Sequence, residues 1–297
     1  LQFHVISICK TLQYLICCCD NSNLRVRCYK IMSFQIQAPG KLVITGEHSS
    51  VYGRSALLTS INLFTTFSYT LNSEKTIKIT THKDIKSSLS FELKSLDLRY
   101  EEFYCSDFNN PCLPEKHIID QLKRQMLEKN PDLSNFLSTE IYLAFLLGVF
   151  MGIQPSKIGD LGFDIDITSD IPISCGLGSS AAFSSCLAAL ILIINGSIQA
   201  KDLENYLNLV NKWAYQFECI FHGKPSGMDN ACSVFGGLMV YKKGLFTKLD
   251  QHRLNDAIFV VIETGKKKST ANMCKNVFSL LENYPTSTNF LFDTINS

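Results

Sequence analysis

Hydrophobic and polar residues follow two different periods along this chain, which indicates a mixed α and β protein. Alternating runs are typical of half-buried strands, whereas a period of three to four residues is typical of a helix with one buried face. Strands are predicted at residues 33–38, 42–45, 55–71, 75–81, 162–168, 238–241 and 257–262. Helices are predicted at residues 115–129, 135–150, 179–195, 201–221, 270–281 and 289–297. A turn is predicted at Pro39-Gly40, between the first two strands.

The first thirty residues differ from the rest of the chain. They are apolar, but Lys10 interrupts the apolar run, and no charged start or cleavage site typical of a secretory signal is present. Cys17–Cys19 would suit palmitoylation, but this interpretation is the weaker one. Because Met32 resembles a natural start, we expect residues 1–32 to be a non-native or disordered extension outside the fold.

Composition narrows the class of protein. Of 297 residues, 46% are hydrophobic and 19% are charged, which is typical of a globular chain. A formal net charge of +1 provides no basic field, so neither nucleic acid nor an anionic membrane is the expected partner. The chain has twelve cysteines but no CxxC pair and no zinc-binding spacing, which favours a reducing compartment and a cytoplasmic location.

The segment at residues 170–182, DIPISCGLGSSAA, has the strongest chemical pattern. A predicted strand ends near Thr168, a loop with Gly176 and Gly178 follows, and a helix begins at Ser179. Glycines allow the backbone to approach a ligand, and a helix start presents free N–H groups and a positive dipole end. The segment therefore predicts a phosphate site, although a plain glycine turn with serine caps has the same pattern.

Two known phosphate-binding loops can be compared with this segment. A Walker A loop requires a lysine after its last glycine, and none follows Gly178. Residues 176–181 fit the G-x-G-x-x-A fingerprint of dinucleotide-binding domains, with Asp202 or Glu204 at a suitable distance. NAD binding is therefore an alternative, although the fingerprint alone is weak.

Two further segments place polar groups beside apolar stretches. Residues 38–53 contain Lys41, Glu47 and His48, and residues 213–237 contain Glu218 and Asp229. A partly buried carboxylate needs a partner, so these acidic residues are either salt-bridge or capping groups, or members of a site. A base, a magnesium ligand and a lysine are parts that phosphoryl transfer requires.

Together the three segments resemble the GHMP small-molecule kinases, and within them the branch that phosphorylates mevalonate. The resemblance rests on APGK…GEHSSVYG, PISCGLGSSAA and NKWAYQFECIFHGKPSGMDN, and extends from about Ser33 to the end of the chain. It implies an α+β, two-domain GHMP kinase fold. The N-terminal, ATP-binding domain at 33–252 would be like ribosomal protein S5 domain 2. Residues 253–297 would begin an incomplete, ferredoxin-like C-terminal domain, because no third glycine-rich motif follows Phe246.

The resemblance also implies a role for each matching residue. Asp229 would be the catalytic base for the mevalonate 5-hydroxyl, and Lys41 would pair with it and stabilise charge. Ser180 and Glu218 would hold Mg²⁺, the implied cofactor. The implied ATP-binding residues are Ser174, Gly176, Leu177, Gly178, Ser179 and Ser180. The implied substrate-binding residues are Lys41, Glu47, His48, Asp229 and Thr270.

Some positions depart from the family pattern. Ser174 stands where the family usually has the first glycine of its phosphate loop. A serine is tolerated there if φ is negative, but it narrows the conformational freedom of the loop. Lys268 replaces an arginine. A catalytically inactive, ligand-binding relative of these kinases is therefore a second hypothesis. A homodimer, and the peroxisome as a second location, are further expectations from the resemblance.

Overall fold

The structure is a computed structural model that describes residues 6–17, 28–82, 86–131, 133, 136–250 and 270–296. The strands are β1 (Ser7–Cys17), β2 (Cys28–Thr45), β3 (Ala56–Leu71), β4 (Ile77–Thr81), β5 (Ser87–Phe91), β6 (Phe163–Ser169), β7 (Leu238–Lys242) and β8 (Leu245–Lys248). The helices are α1 (Lys116–Lys129), α2 (Phe136–Gly152), α3 (Pro155–Ile158), α4 (Ser179–Ile194), α5 (Leu207–His222), α6 (Met228–Phe235), α7 (Thr270–Asn283) and α8 (Pro285–Asn296). Short 3₁₀ helices span Ser49–Tyr52, Leu93–Ser95, Tyr100–Glu102 and Ala200–Tyr206.

The described strands form one sheet in the order β1-β2-β3-β6-β4-β5, and β7 pairs with both β3 and β8. The pairings are antiparallel except that of β4 with β6. Strand β3 is long enough to pair with β2, β6 and β7, and its side chains alternate between buried and partly exposed positions over much of its length. This sheet is not the mostly parallel sheet of a dinucleotide-binding domain, so the NAD-binding alternative is wrong.

Helix α4 is the centre of the core. Its residues from Ala181 to Ile193 are all buried, and the helix packs against β2, β3, α2, α5 and α6. Because it is apolar on every side, it requires neighbours all around it. Its first turn is thereby fixed beside β2 and the C-terminal half of α5. Among the described residues, no helix combines the length and the apolar character needed to cross a membrane.

The predicted turn at Pro39-Gly40 is wrong. The structure has one continuous strand, β2, with a shift in pairing register between Pro39 and Lys41. The Lys41 amide donates a hydrogen bond to the Leu177 carbonyl at 2.8 Å, and a Cβ on Gly40 would lie 2.7 Å from that same oxygen. The glycine therefore allows a close approach between the strand and the loop before α4.

Other elements differ from the sequence-based predictions in smaller ways. The helix predicted at 201–221 begins as the 3₁₀ helix Ala200–Tyr206 and continues as α5. The short elements β5, β8 and α6 were not predicted. Residues 1–32 were expected outside the fold, but the structure pairs β1 with β2 in the sheet, and Ile6 is buried. The predicted strand at 257–262 and the proposed domain boundary after residue 252 lie outside the described residues.

Helix α8 contacts the segment that follows β2. The rings of Tyr52 and Phe292 stack with centroids 5.2 Å apart, and the Arg54 guanidinium lies 2.9 Å from the Asp293 carboxylate. The Ser55 amide donates a hydrogen bond to Asn296 Oδ1 at 2.8 Å. These contacts place α7 and α8 over the turn that contains Glu47 and His48.

Candidate active site

A lysine and an aspartate from distant parts of the chain form an ion pair. Lys41 follows the irregularity in β2 and is only 5% exposed, whereas the Asp229 side chain, in the first turn of α6, is 36% exposed. The Lys41 Nζ lies 3.1 Å from Asp229 Oδ2. The buried ammonium thus has a partner, and the carboxylate remains accessible to a small molecule.

The glycine loop lies directly against this ion pair. Helix α4 begins at Ser179 with Gly178 at its N-cap, in a left-handed conformation with φ +77°. The first N–H groups of α4 have no partner within the helix, and its positive dipole end favours an anion. An added Cβ on Gly178 would lie 2.9 Å from Lys41 Cγ. An anion at the start of α4 would therefore lie close to Lys41.

Glu218 is a buried carboxylate beside the same helix start. It is 2% exposed on α5, and Ser184 Oγ donates a hydrogen bond to its Oε1 at 3.3 Å. Burial, and to a lesser degree the nearby Asp229 carboxylate, raises the pKa of Glu218 to about 7. Hydrogen bonds from Ser180 and Ser184 and the charge of Lys41 act in the opposite direction.

His222 joins this group, and the sequence analysis missed it. It is the last residue of α5, one turn after Glu218, and its Nε2 lies 3.0 Å from Ser180 Oγ and 3.9 Å from Glu218 Oε2. Burial lowers the pKa of His222, whereas the Asp229 carboxylate raises it. The four-residue spacing from Glu218 on a predicted helix was the signal that could have revealed it.

The donor atoms at this place fit a hard divalent cation. Within the described part of the chain there is no group of three or more His, Cys, Asp and Glu residues able to hold a metal by themselves. The Ser180 hydroxyl and the Glu218 carboxylate nevertheless offer neighbouring oxygen ligands. Mg²⁺ prefers oxygen and is commonly held by one or two protein groups together with phosphates and water. A cation here would also compensate the buried charge of Glu218.

Two of the predicted substrate-binding residues, Glu47 and His48, lie outside this cluster. Glu47 and His48 line a second, mainly apolar pocket beneath α7 and α8, whose lining includes Leu280, Tyr284 and Phe292. Thr270 begins α7, but its side chain lies outside what the structure describes. The structure therefore brings together Lys41, Asp229, Ser180, Glu218 and the glycine loop, and places Glu47 and His48 at a neighbouring pocket.

Ser174 does not meet the condition of a negative φ, under which a serine was expected to be tolerated in this loop. Its φ is +61°, so the loop retains a left-handed conformation at this position even though the residue is not glycine. A side chain in that region costs about 1–2 kcal/mol. The serine is tolerated because it is exposed, but its backbone is strained.

Ser174→Gly is expected to stabilise the protein by about 0.5–1 kcal/mol, because relief of this strain exceeds the extra freedom of glycine in the unfolded chain. Urea unfolding measures the change. Ser73→Gly is a control at an exposed serine outside the left-handed region, and it should be neutral or destabilising. Equal destabilisation by both substitutions would contradict the assignment of strain to Ser174.

Gly178→Ala is expected to lower both stability and turnover, because the new Cβ is strained and displaces Lys41. Gly196→Ala is a matched control: its φ is +82°, but an added Cβ would meet nothing within 4 Å. Both variants should lose about 1–2 kcal/mol of unfolding free energy. Only Gly178→Ala should also reduce kcat, because only its added Cβ reaches Lys41. Equal kcat values for the two variants would show that this Cβ does not disturb Lys41.

The comparisons with known proteins agree with this fold. Residues 145–237 match the family described as GHMP kinases N terminal domain, and the match contains the glycine loop, Glu218 and Asp229. The chain is 30% identical over 282 residues to a mevalonate kinase of Dictyostelium discoideum, covering 89% of this chain and 68% of the relative. The chain therefore belongs to the GHMP kinase family.

The particular relatives within that family are mevalonate kinases. The chain is 31% identical to the enzyme of Bos taurus over 265 residues and 30% identical to the enzyme of Homo sapiens over 272 residues. These matches cover 84% of this chain but only 63% of either relative. The chain thus spans less than two thirds of the length of these two curated relatives.

Solved structures support the fold. The mevalonate kinase of Methanococcus jannaschii superposes with a TM-score of 0.58 at 24% identity, covering 88% of this chain and 69% of that chain. A structure of L. major mevalonate kinase in complex with R-mevalonate gives a TM-score of 0.55 at 19% identity, covering 88% and 65%. At these identities the likeness shows a shared fold and no more.

Proposed function

We propose that the protein is an ATP-dependent kinase that transfers the terminal phosphoryl group of ATP to the 5-hydroxyl of mevalonate. The single observation that supports this most is the Lys41–Asp229 ion pair, 3.1 Å long, beside a glycine loop at a helix start. The choice of mevalonate as the substrate rests on the similarity of the chain to mevalonate kinases.

In this proposal the ATP phosphates lie on the loop from Ser174 to Ser180, at the start of α4. A largely apolar pocket adjoins Ser179 and Ser180 and is suited to the nucleoside. Its lining residues are Thr65, Thr81, His82, Leu137, Ile141, Ile167, Ser169, Ile173, Ser179, Ser180, Phe183 and Phe221. This arrangement directs the terminal phosphate toward Lys41 and Asp229.

Asp229 acts as the general base. Its accessible carboxylate takes the proton of the mevalonate 5-hydroxyl, and the oxygen attacks the terminal phosphorus of ATP as the bond from that phosphorus to the bridging oxygen breaks and ADP leaves. Lys41 orients that carboxylate and stabilises the negative charge that develops on the reacting oxygens. The protein needs no covalent intermediate, because holding the two reactants in line lowers the barrier directly.

Ser180 and Glu218 would hold the magnesium ion of the nucleotide. When bound, Mg²⁺ supplies positive charge that neutralises the phosphate oxygens. The Glu218 carboxylate must then be ionised, and Ser180 must turn a lone pair toward the cation. Glu47, His48 and Thr270 are proposed to contact mevalonate, with α7 and α8 bounding that part of the site.

A coupled assay for ADP release tests this function with the full-length protein, ATP and Mg²⁺. We expect saturable turnover with mevalonate and none with galactose or homoserine, which other GHMP kinases use. Tight nucleotide binding without turnover of any of these alcohols would instead support the inactive, ligand-binding relative.

We further propose a cytoplasmic protein that acts on small molecules, with no nucleic acid or membrane partner. Among the described residues, Cys105, Cys112, Cys186, Cys219 and Cys232 form no disulfide, which suits a reducing compartment. The peroxisome is a second location that imaging of the native protein would distinguish. A homodimer is the proposed assembly, which light scattering of the purified protein tests.

A further inference from the structure

We propose that His222 is a positioning residue that orients the Ser180 hydroxyl so that Ser180 and Glu218 can hold a divalent cation together. This inference rests on the proposed function, since the cation is the one that accompanies the nucleotide. His222 would act through Ser180 and would not itself bind the cation.

The hydrogen bond between the two side chains is the first observation. Ser180 Oγ lies 3.0 Å from His222 Nε2, a normal distance for a hydrogen bond. The hydroxyl has a single proton, and it can donate that proton to either His222 or Glu218. When the proton points to His222, the lone pairs of Ser180 Oγ stay free for a cation.

The direction of the Ser180 hydroxyl proton also decides whether the Glu218 carboxylate is free to bind a cation. Its Oε1 already accepts a hydrogen bond from Ser184 Oγ at 3.3 Å. Ser180 can also donate to this carboxylate, and in that state both ligands are occupied by each other. In the neutral tautomer that carries its proton on Nδ1, His222 Nε2 is an alternative acceptor for the Ser180 hydroxyl. At 3.9 Å this Nε2 is too far from Glu218 Oε2 for a direct hydrogen bond.

The backbone holds His222 at this place. It ends α5, and the amide of Gly223 donates a hydrogen bond to the Cys219 carbonyl at 2.8 Å, which closes the helix. Gly223 adopts φ +71°, a conformation suited to glycine, so the chain turns away directly after the imidazole. The His222 side chain is 54% exposed, so its removal leaves the buried core unchanged.

The experiment uses Mn²⁺ as a spectroscopic substitute for Mg²⁺, together with a non-hydrolysable ATP analogue and the full-length protein. Electron paramagnetic resonance measures Mn²⁺ affinity, and calorimetry measures affinity for the analogue without metal. The variants are His222→Ala, His222→Gln and Ser180→Ala, alone and combined. His117→Ala is the control, since His117 is a 72% exposed histidine on α1.

We expect His222→Ala to weaken Mn²⁺ binding by about 10-fold to 100-fold, as loss of a residue that orients a metal ligand typically does. Affinity for the metal-free nucleotide and the unfolding midpoint should remain unchanged. His222→Gln should restore most of the affinity, because its amide oxygen can also accept the hydroxyl proton. In the Ser180→Ala background, His222→Ala should cause no further loss.

Three results would overturn the inference. His222→Ala could bind Mn²⁺ as tightly as His117→Ala does, or the loss could persist in full in the Ser180→Ala background. A nitrogen coupling to Mn²⁺ that disappears in His222→Ala would make the imidazole a direct ligand. If the unaltered protein neither binds the Mn²⁺–nucleotide nor phosphorylates mevalonate, the proposed function fails together with this inference. If the unaltered protein does both and His222→Ala behaves as His117→Ala does, the inference alone fails.

Discussion

Replacing Asp229 with Asn is expected to lower kcat by about 10²-fold to 10⁴-fold, the range for loss of a general base. The amide cannot take the proton of the attacking hydroxyl, but its oxygen can still accept a hydrogen bond from Lys41 Nζ. The fold should therefore persist, with a stability loss of about 1 kcal/mol. Steady-state kinetics with mevalonate and ATP measures the first effect, and urea unfolding the second.

The control for this prediction is Asp160→Asn. Asp160 is an exposed carboxylate that pairs with Lys75 at 2.8 Å, outside the described active-site cluster. This substitution should leave kcat within about twofold, because exposed ion pairs contribute little. A kcat for Asp229→Asn that matches the control would remove the assignment of Asp229 as the base.

Replacing Glu218 with Gln is expected to abolish most of the turnover and, at the same time, to stabilise the ligand-free protein at neutral and higher pH. The Glu218 pKa is raised from 4.5 to about 7 in the folded state, so the folded protein retains a proton that the unfolded chain has released. The stability that depends on protonation of Glu218 is fully present below about pH 4.5 and is lost as the pH rises to about 7. At about 1.4 kcal/mol per pH unit, the loss is about 3 kcal/mol.

Urea unfolding at a series of pH values between about 5 and 8 tests this linkage. The unaltered protein should lose stability over that range, and Glu218→Gln should show a flatter profile because the amide does not titrate. Glu128→Gln, at an exposed position on α1, is the control and should follow the unaltered protein. Parallel pH profiles of stability for all three proteins would contradict a raised pKa of Glu218 in the folded state.

Most residues of the candidate site could be chosen from the sequence because they lie in three local motifs. The glycine loop before α4 was recognisable from Gly176, Gly178 and the apolar run that follows. Glu218 was predicted as a partly buried carboxylate beside an apolar stretch, and the structure buries it almost completely. Long periodic elements such as β3 and α1 were likewise predictable, since burial of a whole face imposes its period on many residues.

What the sequence could not predict depends on contacts between distant segments. Pro39-Gly40 is typical of a turn, and only the approach of the Leu177 carbonyl explains why the strand continues there. The φ of Ser174 is imposed by the loop against the local preference of serine. His222 lies 42 residues from Ser180 in sequence, and no local pattern pairs the two.

The most direct test of the central claim is phosphorus nuclear magnetic resonance of the full-length protein with ATP, Mg²⁺ and mevalonate. The account predicts a new phosphomonoester signal, coupled to the protons on carbon 5 of mevalonate, that grows together with ADP and is nearly absent with Asp229→Asn. Formation of ADP and inorganic phosphate alone, or no consumption of ATP, would contradict the account.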